Sequence, residues 1–473
     1  MKYILAIDQG THASRALLLD LHGRIVSRSG SRKIALLRPA PGRVEQDAEE
    51  IVQSVRDAID EALQPLPARE RARLFACGLA TQRSTVVAWK KDGTALSPAI
   101  NWQDTRGSEL TGQLTPKAAA DIRRRSGLPL SPHYGASKLN WLLKRVTKPD
   151  ETLAGPLASF LLYRLTEHRC YCVDHSNAQR MQLLDLHTLD WSVELSTHFG
   201  VPLEWLPQCR PVVSTYGMLA GYRIPITAVC GDQNAAWSGG GEADTDTAMI
   251  NLGSGAFILA DLPETAGEQQ LLTSIAWSSS KQCRFLLEGT VNGAGNALSW
   301  FRDHYRIRDL EHKLPQWLQT TVSPPLFVNT IGGLGSPWWQ SGPQAGFIND
   351  HGKFSLAEQA AGIVESIVFL LQHNLERIRA CRPIQRLRVS GGLSQLDSLC
   401  QKLSDLSNTP VERSDDAETS ARGIAWLAAG QPAKWQNDRP KQQFQPADNE
   451  ALRNRYRTFT THLRQRLATR DDG

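Results

Sequence analysis

The sequence predicts a duplicated α/β fold, in which two similar units each open with a strand, a turn of small residues and a second strand. In the first unit, the apolar run 3–7 ends at Asp8-Gln9-Gly10, and residues 14–19 form the next run. In the second unit, a strand over 249–252 ends at Gly253-Ser254-Gly255, and residues 257–260 follow. Short apolar runs that stop at glycine turns are typical of strands. We expect two α/β halves with a cleft between them, although two unrelated α/β domains would give the same pattern.

The rest of the first half alternates strands and helices. Residues 23–27 form a third apolar run, and the short gaps between the first three runs favour an antiparallel meander. Asp47 is a good N-cap for a helix with acidic residues in its first turn. The helical spacing is carried by Ile51, Val55, Ile59 and Leu63. Residues 74–80 and 86–89 predict two further strands.

The second half repeats this alternation. Residues 282–287 predict a strand, and residues 296–305 and 357–379 predict helices. A strand over 386–389 stops at Ser390-Gly391-Gly392, before a helix around 396–403. We place the boundary between the halves near residues 237–245. This gives an N-terminal domain of residues 1–238 and a C-terminal domain of residues 239–430.

The last segment, residues 431–473, is expected to be a loop followed by a docking helix. Residues 431–448 are rich in Gln and Pro, which favours a loop. A single helical stripe follows, formed by Leu452, Tyr456, Phe459, Leu463 and Leu467. Arginines cover the other faces of this helix. We favour a helix docked on the body of the protein over one that lies on a membrane surface.

Composition and charge exclude several classes of protein. The chain has 473 residues, of which 41% are hydrophobic and 21% charged, and this is ordinary for a soluble globular protein. The apolar runs are too short for a membrane span or a signal peptide. The net charge of +5 is dilute and mixed, so we expect neither nucleic acid nor a membrane as partner. The eight cysteines lack metal-ligand spacing, which favours reduced thiols in a cytoplasmic protein.

Three turns of small residues at strand ends predict a nucleotide cradle. The first is Asp8-Gln9-Gly10-Thr11, the second is Gly253-Ser254-Gly255 and the third is Gly391-Gly392. Glycine lets a phosphate approach backbone N–H groups, hydroxyls donate hydrogen bonds, and a carboxylate can hold Mg²⁺. A plain hairpin would contain the same glycines, and the common phosphate-binding and dinucleotide motifs are absent.

Polar residues that follow apolar strands are candidates for binding a substrate. They lie in Thr81-Gln82-Arg83-Ser84, Asn101-Trp102-Gln103-Asp104 and Cys230-Gly231-Asp232-Gln233. An Asp beside Gly at the end of a strand is placed to accept a proton from a hydroxyl, but it could equally well cap the next helix.

An ordered set of motifs spans nearly the whole chain, up to about residue 430. It contains Ile7-Asp8-Gln9-Gly10-Thr11, Pro41-Gly42-Arg43-Val44-Glu45-Gln46-Asp47, Thr81-Gln82-Arg83, Trp102-Gln103, Lys138-Leu139-Asn140-Trp141, Ser176-Asn177-Ala178, Gly231-Asp232-Gln233, Gly333-Leu334-Gly335, Glu365-Ser366 and Gly391-Gly392. In order and spacing this set resembles the FGGY carbohydrate kinases, and within them the glycerol kinases.

The resemblance implies a fold and an activity. The fold would be a duplicated actin-like ATPase fold, related to ribonuclease H, with two domains and an interdomain cleft. The activity would be transfer of the γ-phosphoryl group of ATP, with Mg²⁺, to a hydroxyl of a small polyol or sugar. The partner is therefore a small molecule, and a homodimer is one expectation for the assembly.

The resemblance also assigns residues. Asp8 would lie at the metal, and Asp232 would be the catalytic base. The nucleotide would be bound by Thr11, His12, Arg15, Ser254, Gly295, Ser299 and Gly392. The substrate would be bound by Arg83, Ser84, Trp102, His133, Tyr134, Asp232, Gln233 and Phe257.

Several positions depart from the glycerol kinase pattern. Ser84 replaces the Glu that follows the Arg of the T-Q-R motif, and His133 takes the place of a substrate-binding Tyr. His12 and Ala13 replace two hydroxyl residues of the first phosphate loop. Two further carboxylates of the family pattern are Ala158 and Gln340 here. The loop that binds fructose 1,6-bisphosphate in some members is missing, so we expect no such regulation.

These departures leave the substrate open. The smaller Ser84 leaves room for a pentulose, a hexulose or a longer polyol instead of glycerol. The loss of the Glu carboxylate also changes which substrate hydroxyls find a hydrogen-bond partner. A non-kinase member of the actin-like superfamily is a different hypothesis, which Arg83, Trp102 and Asp232 together argue against. A kinase-like protein without activity is a third, which the retention of Asp8 and Asp232 argues against.

Overall fold

The structure is a computed structural model that describes residues 2–242, 244–262, 270–348, 354–414, 418–435 and 442–471. The chain forms two compact units, each assembled from three separate stretches. The first comprises Met1–Ala243, Thr273–Phe285 and Glu418–Asn437, and the second comprises Asp244–Leu272, Leu286–Ala417 and Asp438–Gly473. The consecutive domain limits expected from the sequence, 1–238, 239–430 and 431–473, stay predictions.

The secondary structure follows the alternation read from the sequence. The strands are β1 Tyr3–Gln9, β2 Ala13–Asp20, β3 Ile25–Arg28, β4 Arg32–Lys33, β5 Glu45–Gln46, β6 Leu74–Thr81, β7 Val86–Lys90, β8 Ala99–Ile100, β9 Thr152–Pro156, β10 Cys172–Asp174, β11 Leu184–Asp185, β12 Asp190–Trp191, β13 Gln208–Arg210, β14 Met218–Leu219, β15 Ile224–Gly231, β16 Thr247–Leu252, β17 Ala256–Asp261, β18 Leu272–Ser278, β19 Cys283–Val291, β20 Phe327–Val328, β21 Gly346–Phe347, β22 Arg386–Ser390, β23 Val411–Arg413 and β24 Gln442–Phe444. The α-helices are α1 Ala48–Leu63, α2 Ala68–Arg71, α3 Ser108–Gln113, α4 Pro116–Ser126, α5 Gly135–Leu143, α6 Leu157–Leu165, α7 His175–Gln179, α8 Val193–Phe199, α9 Asp232–Trp237, α10 Gly295–His304, α11 Leu310–Thr320, α12 Leu356–Arg379, α13 Asp397–Ser407, α14 Thr419–Ala428 and α15 Glu450–Asp471. Short 3₁₀ helices cover Pro149–Glu151, Leu203–Trp205 and Gly392–Gln395.

The main sheet of the first unit has the strand order β14-β15-β6-β1-β2-β3. The strands β1, β2 and β3 form the predicted antiparallel meander, while β6 and β15 lie parallel to β1. Every residue of β1 is buried, as expected for a continuous apolar run in the middle of a sheet covered on both faces. Helix α1 packs on β2, and α14 packs across β1, β6 and β15.

Helix α1 begins where its sequence predicts. The Asp47 carboxylate accepts hydrogen bonds from the backbone N–H groups of Glu49 and Glu50, so two donors at the start of the helix have partners. The predicted stripe is fully buried, and it consists of Ile51, Val55, Ile59 and Leu63. Burial of this face attaches the helix to the sheet.

The main sheet of the second unit repeats the order of the first. Strands β19, β17 and β16 are successive antiparallel neighbours, and β22 and β23 continue the sheet parallel to β16. The hairpin β16–β17 therefore corresponds to β1–β2, and β22 corresponds to β6. The repeated order confirms the predicted duplication.

The C-terminal segment differs in part from the prediction. Residues 442–444 were expected in a loop but form β24, which pairs with β23 at the edge of the second sheet, so this part of the prediction is wrong. The buried ring of Phe444 fixes the strand on the core, which the surrounding Gln and Pro residues hide in the sequence. Residues 436–441 of the predicted loop lie outside the described residues.

The predicted terminal helix is confirmed as a docked helix. Leu452, Phe459 and Leu463 of α15 are buried in the core of the second unit, and Tyr456 and Leu467 pack against it. In the described ranges, no helix combines the length and the apolarity that crossing a membrane requires.

Candidate active site

Three candidate side chains of the first unit follow neighbouring parallel strands. Asp8 in β1 and Cys230 in β15 both pair with Ala80 of β6, so the three strands end at the same level. Arg83 comes two residues after β6, and Asp232 comes directly after β15. Because parallel strands present their carboxyl ends at one edge of the sheet, Asp8, Arg83 and Asp232 share that edge.

Asp8 is held by a guanidinium from the facing strand. Asp8 and Arg15 are direct partners in the β1–β2 ladder, and Arg15 Nη2 lies 3.2 Å from Asp8 Oδ2. Burial, opposed by Arg15 and reinforced by the charges of Asp232 and Glu418, raises the pKa of Asp8 to about 6. Burial is thus the main reason for the raised pKa of Asp8, and Arg15 compensates for it only in part.

Glu418 is a member of this charge cluster that the sequence did not reveal. Its Oε1 lies 3.3 Å from Arg15 Nη1. Glu418 is the N-cap position of α14, which packs on the first sheet although it lies some 400 residues after Arg15 in the chain. The close approach of α14 to α9 depends on Gly423, where a Cβ would come 1.8 Å from the Ala235 carbonyl oxygen. A sequence separation of this size explains why no local pattern pointed to Glu418.

A second carboxylate–guanidinium pair lies beside the first. Arg83 Nε lies 3.8 Å from Asp232 Oδ1, and Arg83 Nη1 donates to Asn234 Oδ1 at 3.1 Å. Asp232 is the first residue of α9, and its Oδ1 also accepts from the backbone N–H of Gln233 at 2.7 Å. The pair is partly exposed, with 23% of the Asp232 side chain accessible, so a solute could reach the carboxylate.

The loop after β1 is connected to the predicted substrate residues. Trp102 Nε1 donates to Thr11 Oγ1 at 2.9 Å, and His133 Nδ1 donates to the Trp102 carbonyl oxygen at 3.2 Å. The first unit thus brings together Thr11, Trp102 and His133, which are far apart in the sequence.

The other candidates of the first unit occupy nearby loops and helix ends. His12 is exposed, and its carbonyl oxygen accepts from Ile34 N–H. Ser84 is buried and has a φ of 62°, a left-handed conformation that is uncommon for a residue with a side chain. Tyr134 is the N-cap position of α5, and Gln233 is half-buried in α9.

The second unit holds the remaining nucleotide candidates around its own hairpin. The turn that contains Ser254 packs on the start of α10, where Gly295 N–H donates to the Gly253 carbonyl oxygen at 3.0 Å. A Cβ at Gly295 would lie 2.9 Å from that oxygen, so this contact requires glycine. Ser299 lies one turn further along α10. The exposed Ser254 leaves the surface of the turn open.

Gly391 and Gly392 follow β22 and differ from each other. Gly391 has a φ of 89°, and a Cβ there would lie 2.6 Å from both Asn251 Oδ1 and the Leu252 carbonyl oxygen. Gly392 is exposed, and a Cβ there would meet nothing within 4 Å. Phe257, predicted at the substrate, lies in β17 of this unit opposite Asn251 and is half-buried.

Comparison with known proteins identifies the family. The model of the N-terminal domain of the FGGY family of carbohydrate kinases matches residues 3–248, and the model of the C-terminal domain matches residues 248–431. This chain belongs to the FGGY family of carbohydrate kinases. The two matched segments cover nearly all of the chain that the motifs spanned.

Relatives within this family match along most of their length. The chain is 32% identical to a glycerol kinase of Synechocystis over 92% of both chains, and 34% identical to a glycerol kinase of Thermus brockianus over 96% of both. Among solved structures, a glycerol kinase of Plasmodium falciparum with ADP aligns over 98% of both chains with a TM-score of 0.84 at 24% identity. A xylulose kinase of Rhodospirillum rubrum aligns with a TM-score of 0.85 at 18% identity, over 97% of this chain and 98% of that one. These structures show the shared fold.

Proposed function

We propose that this FGGY kinase transfers the γ-phosphoryl group of ATP to a hydroxyl of a small polyol, in the manner of its glycerol kinase relatives. The observation that carries the proposal is the Arg83–Asp232 pair at the same sheet edge as Asp8, within a chain of this family. Phosphoryl transfer needs an oriented acceptor hydroxyl and neutralised phosphate charge rather than covalent chemistry on the enzyme. The two carboxylates at this edge suit those two tasks.

Asp232 is proposed as the general base. A partly exposed carboxylate can accept the proton of an acceptor hydroxyl as the oxygen attacks the γ-phosphorus, and such a group typically contributes about 10²–10⁴-fold to the rate. The nearby Arg83 guanidinium helps to orient Asp232 toward the acceptor hydroxyl. Arg83 would also donate to neighbouring hydroxyls of the substrate.

Asp8 fits a site for Mg²⁺ bound together with the nucleotide phosphates. Proteins usually hold Mg²⁺ through one or two carboxylates and the substrate phosphates, without a cage of protein ligands. Asp8 offers one buried carboxylate, and burial, with smaller contributions from Asp232 and Glu418, raises its pKa, so a nearby cation would favour its ionised form. When bound, the ion would neutralise phosphate charge.

The nucleotide is assigned to backbone surfaces as well as side chains. In the second unit, the exposed Ser254 turn and the open surface at Gly392 are proposed to meet the nucleotide. In the first unit, Thr11, His12 and Arg15 are proposed to meet its phosphates. Glycines suit these contacts because they let a phosphate approach backbone N–H groups.

A second candidate function is phosphorylation of a longer polyol or an open-chain ketose. The observation that favours it is Ser84, a short buried residue beside Arg83 where glycerol kinases carry Glu. A shorter side chain frees volume, and the loss of a carboxylate removes an acceptor for two adjacent hydroxyls.

A coupled ADP-release assay separates the two candidates. The panel contains glycerol, tetritols, pentitols, pentuloses, hexuloses and sedoheptulose, and ³¹P NMR locates the new phosphate ester. The main proposal predicts that glycerol has the highest kcat/KM. A higher value for a longer substrate establishes the second candidate, and ADP release that no member of the panel stimulates contradicts both.

The Ser84→Glu variant tests the pocket directly. It should depress the use of longer substrates, because the larger side chain fills space and adds a charge. Ser84→Ala is the matched control, since it removes the hydroxyl without filling the site, and it should leave the preference order unchanged.

A further inference from the structure

Trp102 is held at each of its polar groups, although its side chain faces the solvent. Its ring N–H donates to Thr11 Oγ1 at 2.9 Å, its backbone N–H donates to Thr85 Oγ1 at 3.2 Å, and its carbonyl oxygen accepts from His133 Nδ1 at 3.2 Å. The residue is 36% exposed, so burial of the ring alone does not fix it. These three hydrogen bonds fix the position of the exposed Trp102 ring.

Lys138 supplies the other half of this arrangement. It lies in the first turn of α5 and is completely buried. Its ammonium donates to the carbonyl oxygens of His133 at 2.7 Å and Asn101 at 3.1 Å, and it reaches that of Trp102 at 3.5 Å. Lys138 therefore ties the segment that carries Trp102 to the segment that carries His133.

The buried charge of Lys138 is costly, which argues that its position serves a purpose. Across the ranges that the structure describes, no carboxylate forms an ion pair with it, and unpaired lysines are rarely buried. Burial, opposed by Asp104 and assisted by Arg106, lowers the pKa of Lys138 to about 7. An apolar residue would pack here at a lower cost if filling space were the only task.

A cluster of buried amides extends the connection to the loop after β1. Asn101 Nδ2 donates to Gln46 Oε1 at 2.8 Å and to Gln82 Oε1 at 2.9 Å. Gln46 Nε2 in turn donates to the Thr11 carbonyl oxygen at 2.7 Å. Since Lys138 holds the backbone of Asn101 and the amides hold its side chain, the Asn101–Trp102 segment is fixed from two sides.

We propose that Lys138 is a positioning residue for the acceptor substrate, which it serves by locking the Trp102 and His133 segments against each other. The inference rests on the proposed function for the claim that these two residues meet the substrate. Lys138 itself touches no reacting atom. Loss of its three donors should let both segments shift, which weakens substrate binding more than it slows the chemical step.

The same helix offers a matched control. Asn140 lies two residues after Lys138 in α5, and its Nδ2 donates to the Gly200 carbonyl oxygen at 3.1 Å, away from Trp102. Asn140→Ala removes a side-chain hydrogen bond of α5, as Lys138→Met does, but the lost bond joins α5 to the end of α8 and both substrate segments stay in place. A purely structural role for Lys138 predicts that the two variants behave alike.

The experiment combines steady-state kinetics with a probe that does not depend on activity. Lys138→Met, Thr85→Val and Asn140→Ala are compared with the unchanged chain, all labelled with 5-fluorotryptophan. The ¹⁹F resonance of Trp102 is assigned by its loss in Trp102→Phe. Lys138→Met should raise KM for the best acceptor by about fivefold or more, with kcat and KM for ATP within about twofold, and it should shift or broaden the Trp102 resonance.

The outcomes show whether Lys138 positions the substrate-binding segments or only stabilises the fold. An unchanged Trp102 resonance together with an unchanged acceptor KM in Lys138→Met overturns the proposal. If Lys138→Met does not fold, Lys138→Gln decides, because its shorter neutral amide cannot reproduce the three contacts of the ammonium, and Thr85→Val shows how the resonance responds when Trp102 alone is released. If the unchanged chain phosphorylates no acceptor, the proposed function fails, and the fluorine spectra still show whether Lys138 positions Trp102.

Discussion

The two units begin with the same hairpin but place different chemistry on it. In the first, Asp8 of β1 faces Arg15 of β2, one pair before the end of the ladder. In the second, the corresponding pair is Asn251 of β16 and Phe257 of β17. One hairpin therefore carries an ion pair with a buried carboxylate and a half-buried guanidinium, and the other carries a neutral pair beside a turn of glycines.

Under the proposed function, this difference would assign different tasks of one reaction to the two hairpins. The first hairpin supplies fixed charge, with Asp8, Arg15 and Glu418 acting on one another. The second supplies close backbone contacts, because Gly295 and Gly391 leave no room for a Cβ. Charge is needed where phosphate charge develops, and close backbone approach is needed where a nucleotide is held.

The largest expected effect concerns the charged hairpin. Asp8→Asn should reduce kcat by about 10³-fold and weaken the dependence on Mg²⁺, because an amide is a poorer ligand for a hard cation. The corresponding change in the second unit, Asn251→Ser, should reduce kcat by less than about tenfold, since no charge is removed. Initial rates over a range of Mg²⁺ concentrations test this. Equal losses of kcat in the two variants would contradict the assignment of different tasks to the two hairpins.

A buried charge of the second unit should matter for stability and not for turnover. Glu365 is 1% exposed and accepts from Lys402 at 2.7 Å and from Arg455 at 2.7 and 2.9 Å, which joins α12, α13 and α15. Glu365→Gln should lower the free energy of unfolding by about 3 kcal/mol, because it leaves two cations without their partner. Urea unfolding measures this, with the exposed Glu450→Gln as control. A loss of kcat at full stability would place Glu365 in the site instead.

Substitution of the two glycines after β22 should have different effects, one on stability and the other on nucleotide binding. Gly391→Ala should destabilise the protein by about 2 kcal/mol, because it combines a positive φ with contacts shorter than a Cβ allows. Gly392→Ala should leave the unfolding midpoint unchanged but weaken ADP binding by about tenfold, since the added methyl faces the proposed nucleotide. Thermal unfolding and calorimetric titration with ADP make the comparison. Identical behaviour of the two variants would remove Gly392 from the nucleotide surface.

The effect that is smallest at any one pH step is a pH dependence of stability from Lys138, which accumulates over several pH units. Its pKa is about 7 in the folded chain and 10.5 as the ordinary value, so between these pH values the folded chain binds fewer protons than the unfolded one. Stability relative to Lys138→Met should therefore rise with pH across this window, by up to about 1.4 kcal/mol per pH unit. Denaturant unfolding of both proteins at pH 7, 8, 9 and 10 measures the difference, and a difference that does not change with pH would contradict the shifted pKa.

Much of the fold could be predicted because its strands are short apolar runs between glycine turns. The Asp47 cap and the buried stripe of α1 followed from local rules alone. β24 could not be predicted, because its strand is held by one buried ring, Phe444, in an otherwise polar segment. In that case tertiary burial overrides local propensity.

The candidate site was predictable only where residues follow strands directly. Asp8, Arg83 and Asp232 lie at strand ends, so topology alone places them at one edge. Glu418 was missed because α14 returns to the first sheet from far along the chain. The part played by Lys138 was missed because its burial and its carbonyl partners are properties of the folded chain.

The central claim is that Asp232 is the base that activates the acceptor hydroxyl. Rapid-quench single turnovers with MgATP and the best acceptor measure this step directly, in Asp232→Asn and in the control Asp185→Asn. Asp185 is also a buried carboxylate paired with an arginine, with Arg125 Nη1 at 2.9 Å, but it lies away from the strand ends of the main sheet. The account predicts a loss of about 10²–10⁴-fold in the rate of phosphoryl transfer for Asp232→Asn, with ADP affinity retained, and no loss for Asp185→Asn. Transfer at the unchanged rate in Asp232→Asn would contradict it.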